Sequence, residues 1–170
     1  MSKKPSPAEV AAECLEGDVL ESLLDFTEFL KVIKVSPRWI SGRFMSPHTS
    51  VTDSWSPRYK GHNICNLRIN FEKKFWTLSP SGLFIHHEEY ITDDGLKAFI
   101  LGNISGLRCK GKVCPGKEGM TIFDKRYGEL CCCCPIRLKN PKGMDLEYLK
   151  QIILITKIIL CDKENAAGVT

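Results

Sequence analysis

Cysteine thiolates are ligands for soft and borderline metal ions, and six of the nine cysteines in this chain lie between residues 109 and 134. They fall as Cys109 and Cys114, then the unbroken run Cys131, Cys132, Cys133 and Cys134. Taking the outer members of the run gives C-x4-C-x16-C-x2-C, the pair-loop-pair spacing by which a tetrahedral zinc ion ties two short turns together. Neighbouring side chains of an extended segment point to opposite faces, so at most two of the run reach one ion. We read Cys109, Cys114, Cys131 and Cys134 as the zinc ligands, with Cys132 or Cys133 as alternates if the run is extended.

The same thiols admit a second reading, since C-x2-C in basic surroundings lowers a thiol pKa and favours thiolate attack. Cys134, however, is followed by Pro135 and Ile136 rather than by a helix, which is not the setting of a thioredoxin-like exchange site. A thiol-based redox or catalytic-cysteine protein using residues 131–134 therefore stands behind a structural zinc site. The spacing is also not one of the common ferredoxin patterns.

Charge is concentrated in the same stretch. Arg108, Lys110, Lys112, Lys117, Lys125 and Arg126 face only Glu118 and Asp124 there, so this segment holds the entire formal excess of +4. Four thiolates on one zinc ion carry a formal charge of about −2, which nearby cations would offset. Alternatively, Lys110, Lys112 and Lys117 form an anion-contact surface. Compensation is the first reading, because the excess is small and a pI near 8.5 is low for a nucleic-acid domain. A small anionic ligand or a protein is the expected partner class ahead of nucleic acid.

Other chemistry is sparse. His86-His87-Glu88-Glu89 lacks the i, i+4 histidine pair of a helical zinc protease and reads as a solvated edge or turn. There is no G-x-S-x-G, P-loop or G-x-G-x-x-G, and the expectation is a non-catalytic protein. Trp55, Arg58, Tyr59, Lys60, Arg68 and Trp76 are a candidate ligand groove, although tryptophans of this kind more often fill a core between sheet and helices.

These residues need a scaffold, and 170 residues suit one domain with a substantial core. Ser6-Pro7-Ala8-Glu9 has the grammar of a helix start, with a hydroxyl cap, proline at the first helical position and glutamate three residues after the cap. Asp18 and Glu21 repeat the pattern, and Leu20, Leu23, Leu24, Leu30 and Ile33 predict an amphipathic helix ending before Pro37. Short runs over 38–45, 55–60, 64–71 and 75–79 predict strands, with Cys65, Leu67 and Ile69 alternating against Asn66, Arg68 and Asn70. Leu83 to Ile85 reads as a further strand, residues 92–101 as a helix and Thr121 to Phe123 as strand-like. Cys134 to Leu138 reads as another strand, and a last helix follows Asn140-Pro141. The amino-terminal MSKKPSPAEV has no apolar core of signal-peptide length, and Ile152 to Leu160 is too short to span a bilayer. A cytoplasmic protein without membrane association is the expectation, and a reducing compartment favours metal or thiol chemistry over disulfides.

Trp55 with Arg58-Tyr59-Lys60-Gly61, the strand Ile64-Cys65-Asn66-Leu67, and Lys139-Asn140-Pro141 leading into Leu146-Glu147-Tyr148-Leu149-Lys150 resemble small bacterial α+β domains of the YdhG-like type. The resemblance spans about residues 18–158; it implies the fold and assigns no activity. The resulting expectation is an α+β fold, an antiparallel sheet of four to six strands packed against helices, in the YdhG-like order with a Cys-rich loop. Its divisions are an N-terminal helical arm over 1–16, a single domain over 17–161 that includes the cysteine-rich insertion 102–138, and a flexible tail over 162–170.

Overall fold

A computed structural model describes residues 5–40, 52–104, 119–128, 130, 133 and 135–167. The architecture is α+β: an antiparallel sheet packed against helices. Helix α1 spans Pro7–Cys14, and its predicted capping box is present in full. The Ser6 Oγ accepts from the Glu9 amide at 3.2 Å, and the Glu9 carboxylate accepts from the Ser6 amide at 2.7 Å. Helix α2 spans Gly17–Val32 and starts just ahead of the Asp18 cap expected from sequence. Glu16 occupies the cap position without a side-chain capping bond, its carboxylate instead accepting from the Lys74 ammonium at 2.9 Å, and Gly17 takes the left-handed φ of +56° that lets the chain turn between the two helices.

Among the described residues, six strands form the main sheet: β1 (Ser36–Trp39), β2 (Thr52–Tyr59), β3 (His62–Asn63), β4 (Cys65–Asn70), β5 (Phe75–Pro80) and β8 (Leu138–Lys139). Their order is β1-β2-β4-β5-β8, with β3 pairing with the far end of β2. Strands β6 (Met120–Ile122) and β7 (Lys125–Tyr127) make a separate hairpin. Helix α3 spans Asp94–Asn103, with Asp93 capping it by accepting from the Leu96 amide at 2.6 Å. Helix α4 spans Gly143–Ala167.

Register decides which side chains meet the helices. Trp39, Trp55, Leu67, Leu78 and Leu138 are successive cross-strand partners, so all five lie on one face; Asp53, Ile69 and Trp76 form the neighbouring row. This face is buried beneath α1, α2 and α4. Trp76 stacks on Phe26 of α2 with ring centroids 5.9 Å apart, and its ring N–H donates to the Ser22 Oγ at 3.3 Å. Trp55 donates its ring N–H to the Pro5 carbonyl at 3.2 Å, fixing the start of α1 against the sheet. Lys150 on α4 bridges Asp25 of α2 at 2.7 Å and Glu147 at 2.8 Å. Burial works against its ammonium, but the two carboxylates outweigh that cost and raise its pKa.

Three expectations differ from the structure. Residues 83–85 lie in a short 3-10 helix over Gly82–His86 rather than a strand, begun by Ser81, whose Oγ accepts from the Leu83 amide at 3.4 Å. Of the strand expected over 134–138, Cys134 lies outside the described residues, and among the rest the strand begins only at Leu138 (Leu138–Lys139), preceded by an isolated bridge between Ile136 and Ile104. Helix α4 continues through residues 162–167 instead of ending near 161. Contacts from its last turns explain this: Tyr90 donates to Asp162 at 2.7 Å, and Lys60 pairs with Glu164. Residues 41–45 of the first expected strand lie outside the described residues.

Trp76→Ala should cost about 3–5 kcal/mol of folding free energy through lost burial and the cavity left under α2, read as a shift in urea midpoint with unchanged slope; a loss below about 1 kcal/mol would place the ring outside the core. Lys142 donates to Asp18 at 2.6 Å and holds that carboxyl below its ordinary value, first through the hydrogen bond and then through its charge. A lowered folded pKa stabilises above the unfolded value, near 4, and the contribution disappears as pH falls through the folded one. The melting-temperature gap between wild type and Asp18→Asn should therefore shrink between pH 6 and pH 3; a constant gap would show that charge plays no part.

Candidate functional site

Each strand of the sheet has a second face, turned away from the helices, and its register is equally definite. Ser54, Arg68, Thr77 and Lys139 are cross-strand partners along one row; Asn66 and Ser79 are partners in the next, as are Arg38 and Ser56. Arg137 joins this face beside β5, donating from its Nε to the Ser79 Oγ at 3.3 Å. Ile40, Ser54, Asn66, Arg68, Ser79 and Arg137, with Trp55, line a recess of about 140 Å³. An adjoining recess of about 300 Å³ is lined by Thr52, Arg68, Asn70, Phe75, Thr77 and Arg137. The two arginines are common to both.

Of the six groove residues expected from sequence, the sheet brings only Arg58 and Arg68 to this outer face. Trp55 and Trp76 are 1% and 0% exposed and belong to the core, as the alternation with Ser54, Ser56, Phe75 and Thr77 requires, and Trp55 also borders the smaller recess. Tyr59 lies on the helix side, 3.2 Å from the Cys161 Sγ on α4 through its hydroxyl. That hydrogen bond, and then burial, hold the phenol above its ordinary pKa. Lys60 sits at the β2–β3 turn in the left-handed region with φ +47° and pairs with Glu164.

The cysteine window is visible through its borders. Cys109, Cys114, Cys131, Cys132 and Cys134 lie outside the described residues, as do Lys110, Lys112 and Lys117. Cys133 is exposed, and its carbonyl accepts from the Gly82 amide at 3.2 Å, tying the end of the window to the 3-10 helix after β5. The antiparallel bridge between Ile104 and Ile136 joins the window's two outer ends. Inside it, the β6–β7 hairpin pairs Met120 with Tyr127 and Ile122 with Lys125, and Ile122 is fully buried. Its turn residues Phe123 and Asp124 take φ of +46° and +62°. That conformation is costly for a bulky residue such as Phe123. The Glu88 carboxylate accepts from the Phe123 amide at 3.1 Å and secures the turn.

Glu88 thereby has a structural use that sequence did not expose, since a turn of Phe-Asp lacks the usual Asn-Gly signal. His87 contacts Glu89 at 2.9 Å through its Nδ1, a contact that holds the Glu89 carboxyl below its ordinary pKa. Among the described residues, no three His, Cys, Asp or Glu side chains are grouped to hold a metal ion. No helix among them is long and apolar enough to cross a membrane. Arg137 was also missed; its signal was the polar-apolar alternation of Arg137 and Lys139 with Ile136 and Leu138.

No family model, curated protein or solved structure matches the chain.

Cys65 is fully buried on the helix face of β4, and that burial pushes its thiol pKa up. In the native protein it should resist a charged disulfide reagent and react only when the domain unfolds, its labelling rate following the denaturation curve. Prompt labelling of Cys65 without denaturant, mapped by mass spectrometry, would show that β4 opens locally.

Proposed function

We propose that this chain is a cytoplasmic, non-catalytic binding or regulatory module of the small bacterial α+β kind, with a structural zinc ion held by Cys109, Cys114, Cys131 and Cys134. The observation that carries the reading is the pairing at the borders of the cysteine window. Cys109 follows Ile104 by five residues and Cys131 precedes Ile136 by five, while Ile104 and Ile136 are bridged. Cys114 precedes Met120 by six and Cys131 follows Tyr127 by four, while Met120 and Tyr127 are paired. A six-residue segment reaches at most about 20 Å, so both pairs of ligands are tethered within reach of common ground.

Four thiolates form a donor set suited to zinc, and coordination offsets the entropy of closing a long loop. Zinc bound here would hold the loop's form rather than activate a water. The six cations from Arg108 to Arg126 then balance the thiolate charge. Protein purified without a histidine tag should carry about one zinc per chain by mass spectrometry, and chelation should release it while exposing four further thiols to titration. A folded, metal-free protein with those thiols already reactive would overturn the reading. One selectively alkylated cysteine in 131–134, oxidising reversibly to a defined pair, would put thiol exchange in its place.

A further inference from the structure

Among the described strand residues, the outer face of the sheet bears charge of a single sign. Of the six strands, the one carboxylate is Asp53, and it lies on the helix side, accepting from the Trp39 ring N–H at 3.3 Å. The outward positions hold Arg38, Arg58, Arg68 and Lys139, with Arg137 added beside β5. Among the described strand residues, no acidic side chain shares that face. A solvated sheet face ordinarily mixes both signs, because like charges in neighbouring rows repel. Five cations share that face in a chain with a net charge of only +4, and their summed potential favours an anion.

We propose that Arg68 and Arg137 bind the phosphoryl group of a compact phosphorylated ligand across the two recesses they share. Arginine presents several donors in a planar fork suited to phosphate oxygens, and Ser79 fixes the direction of the Arg137 head by accepting from its Nε. Ser54 and Asn66 in one recess, and Thr77 in the other, supply neutral hydrogen-bonding groups around the pair. The combined space suits a small molecule rather than a polymer. Phe75 is the one outward aromatic among the described strand residues, and the Lys139 ammonium sits 4.5 Å from its ring centroid. Successive bases would find no run of stacking surfaces here. The site uses none of the cysteines, so it stands whether or not zinc is bound.

Titration calorimetry of the full chain with inorganic phosphate and with pyrophosphate tests the assignment. Both should bind saturably, and Arg68→Gln and Arg137→Gln should each weaken pyrophosphate by about tenfold or more. Arg58→Gln, outward but away from the recesses, should change it by less than about twofold. Circular dichroism and thermal melting check that each variant folds; Arg137 is exposed, so its variant carries the test even if Arg68→Gln is unstable. Absence of binding by both probes would overturn the proposal, as would equal weakening by Arg58→Gln, which would signify a diffuse field. Binding of a single-stranded oligonucleotide more tightly than pyrophosphate, with affinity growing with its length, would overturn it in favour of a nucleic-acid surface.

Discussion

If β4 slipped by one residue against β2, Leu67 and Ile69 would move to the outer face and Arg68 would turn into the core. Each aliphatic side chain would forfeit about 1.5–3 kcal/mol of burial, and a guanidinium taken out of water would meet the underside of α2 at several kcal/mol more. That penalty locks the register of the central strands. Everything else in the molecule is placed by it. Trp55 and Trp76 go inward to receive α1 and α2, Cys65 goes inward and becomes inert, and the arginines go outward with the hydroxyl and amide side chains. A core and a charged surface are thus two results of one alternation.

The helices respond to the inner face, and the long connections respond to the helices. Helix α4 carries the buried side chains Leu149, Ile152 and Ile153 beneath the sheet and is pinned laterally to α2 through Lys150 and Asp25. At its far end, Tyr59, Cys161, Lys60 and Glu164 join it to the β2–β3 turn. Between α3 and β8 the chain makes its longest excursion, yet the bridge at Ile104 and Ile136 closes that excursion at its base. The buried Ile122 anchors the hairpin within it. A loop fastened at both places asks less of any metal that ties the remainder, because part of the closure entropy is already met by packing.

Where sequence periodicity was long and regular, it was sufficient. The capping box at Ser6 and Glu9, the apolar stripe of α2 and the alternation through β4 all express local rules that tertiary contacts reinforce. It fell short where a rule was short-ranged or absent. Leu83 to Ile85 is apolar and β-prone, but three residues cannot distinguish a strand from a tight helix, and the Ser81 side chain settles the matter. The extension of α4 to Ala167 depends on partners far away in sequence, Lys60 and Tyr90, which no window of the tail contains. Of the outer face, Arg68 was legible from its own strand. That it lines the same recesses as Arg137 was not, because the adjoining β8 has only two residues and its neighbour in the sheet lies some sixty residues earlier. The cysteine spacing speaks of chemistry on its own, without reference to the strands.

Among the described residues, the two borders of the main sheet are β1 and β8, and neither offers a good template for another strand. Strand β1 is four residues long and contains Pro37, which has no amide hydrogen to donate, followed by the exposed cation Arg38. Strand β8 is two residues long, ends at Lys139 and is followed at once by Asn140, with φ of +47°, and Pro141. Length, proline and lysine are the devices by which sheet proteins avoid growing into one another. The consequence is colloidal: folded domains can be crowded without their main sheets joining at these two margins, and growth of fibres through them must begin from chains in which they have first been lost.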